Sequence, residues 1–305
     1  MNIKVLGESL MDCISQADGT LRPIKGGSPY NMARAAALQD AQVEYLNPMS
    51  TDVFGVQLRE QLLKDQVAVR PTPSRLPTSL AVVNVRDGQP SYGFYREGIA
   101  DRDYAPQDIL SALEGVPPGI LHTGSLMLIP PEHTKVLTVL RGAKSMGWTI
   151  SVDVNMRPSV APDLQAYSAA VEEVIDVADW LKASDEDLDT LGYASHRLAD
   201  AAKMADALMQ RGIRRLALTY GGDGAYLKVG TQVAQRPVPQ VAVVDTVGAG
   251  DTFWGNCIAL WSGMTPAQAE ATVSDTLTHA MLAAAINCTR QGCQPPTRGE
   301  VLAGL

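Results

Sequence analysis

One short run near the carboxyl end of the chain combines a carboxylate with glycines, as an anion site requires. The run Asp245–Asp251 (DTVGAGD) follows an apolar segment, Val241–Val244, and precedes a helical pattern at Thr252–Ser262. Glycines let the backbone turn tightly and approach a ligand closely, and the N–H groups at a helix start bind anions. The pattern therefore predicts a strand, a turn and a helix start that together can stabilise developing negative charge.

Asp251 lies in the first turn of that predicted helix. A carboxylate in this position is stabilised by the helix dipole and is expected to be ionised at neutral pH. Such a group can orient a hydroxyl and accept its proton late in phosphoryl transfer, because that reaction has a loose transition state. On this feature alone an alternative stands, in which Asp251 is an N-terminal helix carboxylate with a structural role only.

The run matches neither of two common nucleotide-binding signatures. It lacks the Gly-Lys-Ser/Thr ending of the phosphate loop, and Phe253 stands where the dinucleotide fingerprint has its third glycine. The sequence therefore argues against a nicotinamide-dependent oxidoreductase.

Short apolar, β-branched runs alternate with amphipathic helical patterns along the chain. The alternation predicts an α/β fold with three layers, in which a mainly parallel sheet lies between helices. Ligands of such folds collect beyond the carboxyl ends of the strands. The predicted strands are Ile3–Leu6, Val43–Asn47, Ile120–Thr123, Thr149–Val152, Trp180–Ala183, Arg215–Thr219 and Val241–Val244, and the predicted helices are Tyr30–Leu38, Pro131–Lys144, Leu164–Val177 and Arg197–Arg211.

Two segments depart from this alternation. Cys13–Ile24 has the pattern of a small hairpin, and Leu80–Tyr95 alternates with a period of two around an Asp87-Gly88 turn. We expect them to form one small antiparallel sheet, built from about residues 12–25 and 79–101, that is placed to act as a lid. Such a sheet has an exposed edge unless it pairs with something.

Composition limits the classes of function. The chain has 305 residues, of which 46% are apolar and 19% charged, an ordinary globular composition. The net charge of −8 and the lack of a basic run argue against a nucleic-acid partner. Because no leader pattern and no 18-residue apolar stretch is present, we expect a cytoplasmic protein without a membrane partner. The four cysteines and four histidines show no metal-ligand spacing.

A second polar motif, Gly26–Asn31 (GGSPYN), lies far upstream of the first. The two motifs, in this order, resemble the signatures of the ribokinase-like carbohydrate kinases, and the resemblance covers nearly the whole chain. It implies one ribokinase-like domain over residues 1–305 with the lid inserted in it. It also implies an ATP-dependent enzyme that phosphorylates a small sugar. Because relatives often pair two lids, we further expect a homodimer formed through the lid.

The resemblance assigns the chemistry to the carboxyl-terminal run. Asp251 would be the general base on the acceptor hydroxyl. The anion hole would be formed by Gly248, Ala249 and Gly250. Lid closure would exclude water and so prevent wasteful hydrolysis of ATP.

The same resemblance places the sugar between the amino-terminal motifs and the lid. Asp12, Gly27 and Asn31 would bind its hydroxyls, because vicinal hydroxyls are best bound by a carboxylate acceptor and an amide. Without the second motif, Gly27 would fit a plain turn and Asn31 a helix start. The segment that ends the lid resembles the fructokinase branch, in which Arg96 would reach into the sugar site beside an apolar wall, Tyr95.

These features favour fructose, converted to fructose 6-phosphate, as the substrate. The alternatives are 2-keto-3-deoxygluconate, another ketose and a nucleoside, because one hydroxyl changes specificity by orders of magnitude when a buried polar group is left unpaired. A catalytically silent sugar-binding protein on the same fold is a further alternative, although the base and the anion hole are intact.

Polar residues near predicted strand ends would bind ATP. Arg157, in the run Asp153–Arg157 (DVNMR), suits a phosphate because its fork binds two oxygens, although alone it fits a surface arginine. The run Thr219–Gly224 resembles a nucleotide-side loop and fits a strand-to-strand turn equally. The ATP-binding residues predicted in this way are Asn155, Arg157, Ser184, Thr219, Gly221, Gly224 and Asn287.

Mg²⁺ is expected because phosphoryl transfer requires the charge of the β- and γ-phosphates to be neutralised. Relatives often have Asn-x-x-Glu where this chain has Ser184–Asp187, so either Asp187 or Glu186 would hold the ion through water. A carboxyl-terminal loop also resembles one that binds a monovalent cation, and potassium is left open. Its predicted ligands are Asp245, Val247 and Gly292.

Overall fold

Thirteen strands and eleven α-helices make up the regular structure of the described residues, which are 1–16, 18–86, 89–193 and 197–304 of a computed structural model. The strands are β1 (Ile3–Val5), β2 (Leu10–Ser15), β3 (Leu21–Gly26), β4 (Val43–Tyr45), β5 (Ala68–Val69), β6 (Ser79–Arg86), β7 (Gln89–Tyr95), β8 (Ile120–Gly124), β9 (Thr149–Asp153), β10 (Trp180–Ser184), β11 (Arg215–Thr219), β12 (Ala225–Val229) and β13 (Gln232–Arg236). The helices are α1 (Ser28–Ala37), α2 (Val53–Lys64), α3 (Pro106–Leu113), α4 (Glu132–Ser145), α5 (Leu164–Ile175), α6 (Asp185–Thr190), α7 (Ala201–Met209), α8 (Ala249–Ser262), α9 (Pro266–Ala271), α10 (Val273–Cys288) and α11 (Arg298–Ala303).

The main sheet has nine strands in the order β13-β12-β11-β10-β9-β8-β1-β4-β5. The seven strands from β11 to β5 are parallel, and β12 and β13 add an antiparallel edge. One apolar cluster joins the sheet to α1, α2, α8 and α10, and a second joins it to α3, α4, α5 and α7. This arrangement confirms the predicted three-layer fold with a mainly parallel sheet.

The predicted strand Val241–Val244 is wrong. This segment forms no sheet ladder, and Val243 and Val244 are each 63% exposed. The backbone N–H of Val244 donates to the carbonyl oxygen of Cys288, at the end of α10, over 2.8 Å. A β-branched run has the propensity of a strand, but here it meets the end of a helix rather than a free sheet edge.

The lid is a separate four-stranded sheet in the order β3-β2-β6-β7. The hairpins β2–β3 and β6–β7 are antiparallel, as predicted, and a parallel pairing of β2 with β6 joins them. The predicted Asp87-Gly88 turn lies outside the described residues. The outer strands β3 and β7 each have one side without a partner strand among the described residues, so a homodimer through the lid stays a prediction.

Helices α1 and α8 pack closely enough to bring their amino-terminal ends side by side. At Gly255 of α8, an added Cβ would stand 2.8 Å from the Cβ of Ala35 and 2.8 Å from the carbonyl oxygen of Met32, both on α1. Glycine is therefore required at this crossing, since a Cβ would force the two helices apart. The crossing places the Gly26–Asn31 motif beside the Asp245–Asp251 run.

A buried arginine connects α1 to two other segments of the chain. The Nε atom of Arg34 donates to Asp65 over 2.6 Å, and its Nη1 atom donates to the carbonyl oxygen of Cys293 over 3.1 Å. Its guanidinium also lies 5.6 Å from the ring centre of Tyr30. One side chain thereby joins α1, the end of α2 and the carboxyl-terminal loop.

We expect Arg34→Met to lower the free energy of unfolding by about 3–5 kcal/mol, because it leaves Asp65 buried without its partner. The matched control is Arg298→Met, which breaks an exposed ion pair with Asp40 and should change that free energy by less than about 1 kcal/mol. Urea unfolding at pH 7 measures both. Equal small losses in the two variants would contradict this role of Arg34.

Candidate active site

The site is built around a buried carboxylate, that of Asp251 in the first turn of α8. Two side chains from the start of α1 hold it. The hydroxyl of Ser28 donates to its Oδ1 atom over 2.7 Å, and the amide of Asn31 donates to its Oδ2 atom over 2.9 Å. Each carboxylate oxygen therefore has one donor from the other end of the chain, and the group is held in one orientation.

Burial raises the pKa of Asp251 above its ordinary value, while the hydrogen bonds from Asn31 and Ser28 and the charges of Lys182 and Arg157 lower it. A helix dipole alone, as considered from the sequence, would only favour the ionised form. In the folded protein the charge on Asp251 instead depends on the donors and cations around it.

The turn before α8 has the backbone of an anion site. Gly248 has a φ of 73°, in the left-handed region, and an added Cβ would lie 2.2 Å from the Sγ atom of Cys293. Helix α8 begins at Ala249, three residues before the predicted start, so Gly250 and Asp251 lie in its first turn. The N–H of Ala249 donates to the carbonyl oxygen of Thr246 within the turn. First-turn N–H groups such as that of Gly250 have no partner within the helix and are suited to an anion.

Three residues predicted to bind the sugar lie around Asp251. The carboxylate of Asp12 lies against Gly26, where an added Cβ would come within 2.2 Å of it. Burial raises the pKa of Asp12 to about 6, with Arg157 lowering it and Asp251 raising it further. Gly27 precedes α1, and its carbonyl oxygen accepts the N–H of Asn31 over 2.9 Å. The structure therefore brings Asp12, Gly27 and Asn31 into the neighbourhood of Asp251.

The two lid residues predicted for the sugar site lie in different surroundings. Tyr95 is 65% exposed at the end of β7. Arg96 is buried, and its Nη2 atom lies 3.7 Å from Asp101. Burial raises the pKa of the nearby Glu8 to about 7, and the charge of Arg96 lowers it. Contact of Tyr95 and Arg96 with a sugar stays a prediction.

The buried charged residues Glu8, Arg96 and Asp101 connect to Asp251 through Ser28. The Oε1 atom of Glu8 accepts the backbone N–H of Ser28 over 3.1 Å, and the hydroxyl of the same serine donates to Asp251. Ser28 thus links the base of the lid to the central carboxylate.

The run Thr219–Gly224 connects β11 to the antiparallel strand β12. The strand-to-strand turn, which the sequence offered as an alternative for this run, is therefore present. Gly224 has a φ of 128°, and a Cβ there would lie 2.1 Å from the carbonyl oxygen of Arg236, which accounts for the glycine structurally. Gly221 is exposed and has open space around it. Contact of Thr219 and Gly221 with a nucleotide stays a prediction.

Arg157 is exposed just beyond β9 and is braced by its own loop. Its Nη1 atom donates to the Oδ1 atom of Asn155 over 2.6 Å and to the carbonyl oxygen of Met156 over 2.8 Å. Its charge reaches both Asp12 and Asp251, since it lowers the pKa of each. Asn155 therefore positions the arginine.

Asn287 has a structural task in the carboxyl-terminal loop. Its Nδ2 atom donates to the carbonyl oxygen of Val247 over 2.9 Å, and its Oδ1 atom accepts the N–H of Gln294 over 2.8 Å. The exposed side chains of Val243, Val244 and Val247 lie on the adjoining segment and form an apolar surface. Contact of Asn287 with ATP stays a prediction.

The predicted magnesium residues do not form a protein cage. Asp187 is buried, and its two oxygens accept the backbone N–H groups of Met156 (2.6 Å) and Ser184 (2.8 Å) in a helix-capping arrangement. Glu186 is exposed beside it. Within the described residues, no group of three or more His, Cys, Asp and Glu is placed to hold a metal. The residues fit an ion held chiefly by phosphate oxygens, with water between it and a carboxylate.

The predicted monovalent-cation ligands are also joined to one another. The two carboxylate oxygens of Asp245 accept the N–H groups of Val247 (3.0 Å) and Gly292 (2.8 Å). These bonds hold the carboxyl-terminal loop against the start of α8. The carbonyl oxygen of Val247 accepts the Asn287 amide, so a cation there would use its second lone pair.

The sequence interpretation missed two residues of the site, Ser28 and Lys182. Ser28 lies inside the Gly26–Asn31 motif but was given no role there. Lys182 is a single charge within the apolar strand β10, and its Nζ atom donates to Asp153 on β9 over 2.8 and 3.0 Å. A single charged residue within a predicted buried strand indicates a buried ion pair, because such a residue is seldom fully buried unless it is paired.

Comparison with known proteins identifies the family of the chain. The family described as pfkB family carbohydrate kinase matches residues 2–298. A fructokinase of Rhizobium leguminosarum bv. trifolii is 31% identical over 261 residues, covering 83% of this chain and 77% of its own. A fructokinase of Vibrio alginolyticus is 28% identical over 309 residues, covering 98% and 97%.

A crystal structure of fructokinase from Xylella fastidiosa with bound ATP superimposes with a TM-score of 0.81 at 25% identity, over 99% of this chain and 97% of that one. No helix within the described residues is long and apolar enough to cross a bilayer. The fold, the two converging motifs and the match over nearly the whole length lead to one assignment. The chain belongs to the pfkB family of carbohydrate kinases and is an ATP-dependent sugar phosphotransferase.

Proposed function

We propose that this enzyme phosphorylates fructose to fructose 6-phosphate, with Asp251 as the general base. The observation that carries the proposal is the convergence of Ser28, Asn31 and Asp251, which fixes one buried carboxylate at the start of α8. A carboxylate in this position can accept a proton from a hydroxyl bound on its sugar side. The two relatives described above are named fructokinases, and this favours fructose among the family's substrates.

In the reaction, the acceptor hydroxyl oxygen forms a bond to the γ-phosphorus of ATP as the bond from that phosphorus to the β–γ bridging oxygen breaks. The electron pair of the broken bond leaves with ADP, and the hydroxyl proton passes to Asp251. Asp12 and Asn31 hold the sugar so that this hydroxyl faces the carboxylate. Gly248, Ala249 and Gly250 surround the oxygens of the transferring group, where negative charge is spread.

ATP lies along the carboxyl ends of β9 and β11 in this proposal. Arg157 contacts its phosphates, and Thr219 and Gly221 border the nucleotide. Asp187 or Glu186 would hold Mg²⁺ through water, and the ion would supply the charge that neutralises the β- and γ-phosphates. Potassium activation through the loop of Asp245 and Gly292 stays a prediction, as does lid-mediated dimerisation.

The substrate is identified by a coupled assay of ADP release over fructose, 2-keto-3-deoxygluconate, ribose, tagatose and nucleosides, with Mg²⁺ and with or without potassium. Fructose should give the highest kcat/KM. A higher value for another acceptor would replace fructose and leave the mechanism in place. Sugar binding by calorimetry with no ADP formed from any acceptor would instead favour the silent binding protein.

We expect Asp251→Asn to lower kcat by about 10²–10⁴-fold with ATP affinity retained, because an amide cannot accept the hydroxyl proton. The matched control is Asp275→Asn, which changes an exposed carboxylate in the first turn of α10 and should leave kcat unchanged. Steady-state kinetics and nucleotide titration measure both. Near-normal turnover of the Asp251 variant would remove this residue from the mechanism.

We expect Gly248→Ala to lower kcat by about 10²-fold, because the added Cβ meets Cys293 and the left-handed backbone disfavours alanine, so that the anion hole is displaced. Gly263→Ala at the other end of α8 is the control, since its φ is −94° and the nearest atom to an added Cβ lies 3.9 Å away. Thermal unfolding verifies that both variants fold. Equal kcat values would contradict the need for glycine at position 248.

A further inference from the structure

A buried ion pair lies directly beneath the predicted anion hole. Lys182 is 3% exposed, and its Nζ atom donates to both carboxylate oxygens of Asp153, its partner residue on the neighbouring strand β9. An added Cβ on Gly250 would stand 3.2 Å from that Nζ atom and 3.4 Å from the Cε atom. The ammonium therefore lies against the backbone of Gly250.

The surroundings of this ammonium are strongly negative before any nucleotide binds. The carboxylates of Asp153, Asp187 and Asp251 all act on it, and although burial opposes its charge, they raise the pKa of Lys182. Lys182 is therefore a cation at neutral pH. Without it, three buried carboxylates would surround the place where a triphosphate must bind, and like charges repel strongly in a poorly solvated site.

Lys182 also acts on the catalytic carboxylate itself, since its charge lowers the pKa of Asp251. The titratable and charged groups that act with Lys182 and Asp251, from every element packed around them, are Asp12, His122, Asp153, Arg157, Asp187, Cys257 and Cys293. Among these, only Arg157 is a second cation at neutral pH, because burial lowers the pKa of His122 to about 3. Arg157 is exposed, so Lys182 is the buried cation of the two.

We propose that Lys182 is a positioning residue for phosphoryl transfer: held by Asp153 beneath Gly250, its ammonium supports the anion hole and keeps Asp251 ionised. This inference rests on the proposed role of Asp251. It assigns Lys182 a task that the backbone N–H groups of the hole cannot perform, because they carry only partial charges. It also explains why residue 250 is glycine, since a side chain there would press on a lysine that is fixed by two hydrogen bonds.

The test compares pH profiles of kcat/KM for Lys182→Met and Asp153→Asn. Activity requires ionised Asp251, so it is present above the pKa of that group and lost as the pH falls through it. Removing the cation should move the acid limb to higher pH and lower kcat by about tenfold or more. Removing the anion of Asp153 should move the limb to lower pH, because Lys182 then acts on Asp251 without its neutralising partner.

Opposite shifts of the acid limb in the two variants distinguish a positioning role of Lys182 from a role in packing alone. A merely structural pair would lower stability or rate in both variants and leave the limb in place. Lys228→Met is the matched control, because this lysine forms an exposed ion pair with Asp206 far from Gly250, and it should leave the profile unchanged. If either single variant fails to fold, the double variant Lys182→Met with Asp153→Asn keeps the buried site neutral, and its kcat should still fall by about tenfold or more.

A binding measurement tests the role of Lys182 without requiring turnover. The affinity for ADP with Mg²⁺ and aluminium fluoride should fall about tenfold or more in Lys182→Met, while the affinity for ADP alone stays within about threefold. If the wild type proves inactive on all sugars, the proposed function fails and this measurement still tests Lys182. An active wild type, together with unmoved acid limbs and unchanged aluminium fluoride binding in the variants, overturns only the role of Lys182.

Discussion

The burial of one carboxylate, that of Asp251, is the constraint on which the rest of the site depends. Removing a charged carboxylate from water is unfavourable, so the ionised form persists only where donors and cations replace the lost solvation. Ser28 and Asn31 supply the donors from α1, and Lys182 and Arg157 supply the charge. The fold therefore has to bring the start of the chain to its end, and the close crossing of α1 and α8 at Gly255 does so.

The parallel sheet explains where the remaining groups lie. Asp153, Ser184 and Thr219 end three neighbouring strands, β9, β10 and β11, so their side chains or backbones meet at one edge. Ligands of such sheets bind at this edge. The lid begins at the same edge, because β2 follows β1, and Glu8 in the connection contacts Ser28. One serine thus joins the segment that leads into the lid to the carboxylate of Asp251.

Much of this could be predicted from the sequence, because each large element has a local signature. The alternation of apolar runs with helical patterns predicted the layers, and period-two alternation predicted the β6–β7 hairpin of the lid. The strand at Val241–Val244 was predicted wrongly because propensity does not reveal whether a sheet edge is available. Lys182 was missed for a related reason. Its significance depends on Asp153 in the adjacent strand and on Gly250, and only the fold brings these three together.

The central claim is that donors from α1 keep a buried Asp251 ionised so that it can act as the base. The most direct test is the pH profile of kcat/KM for Ser28→Ala, because this substitution removes one donor and leaves the carboxylate and the predicted sugar contacts of Asn31 in place. A hydrogen bond to a charged group contributes about 1.5 kcal/mol or more, so the acid limb should move to higher pH by about one unit. An acid limb at the wild-type position in a folded Ser28→Ala variant would contradict the account.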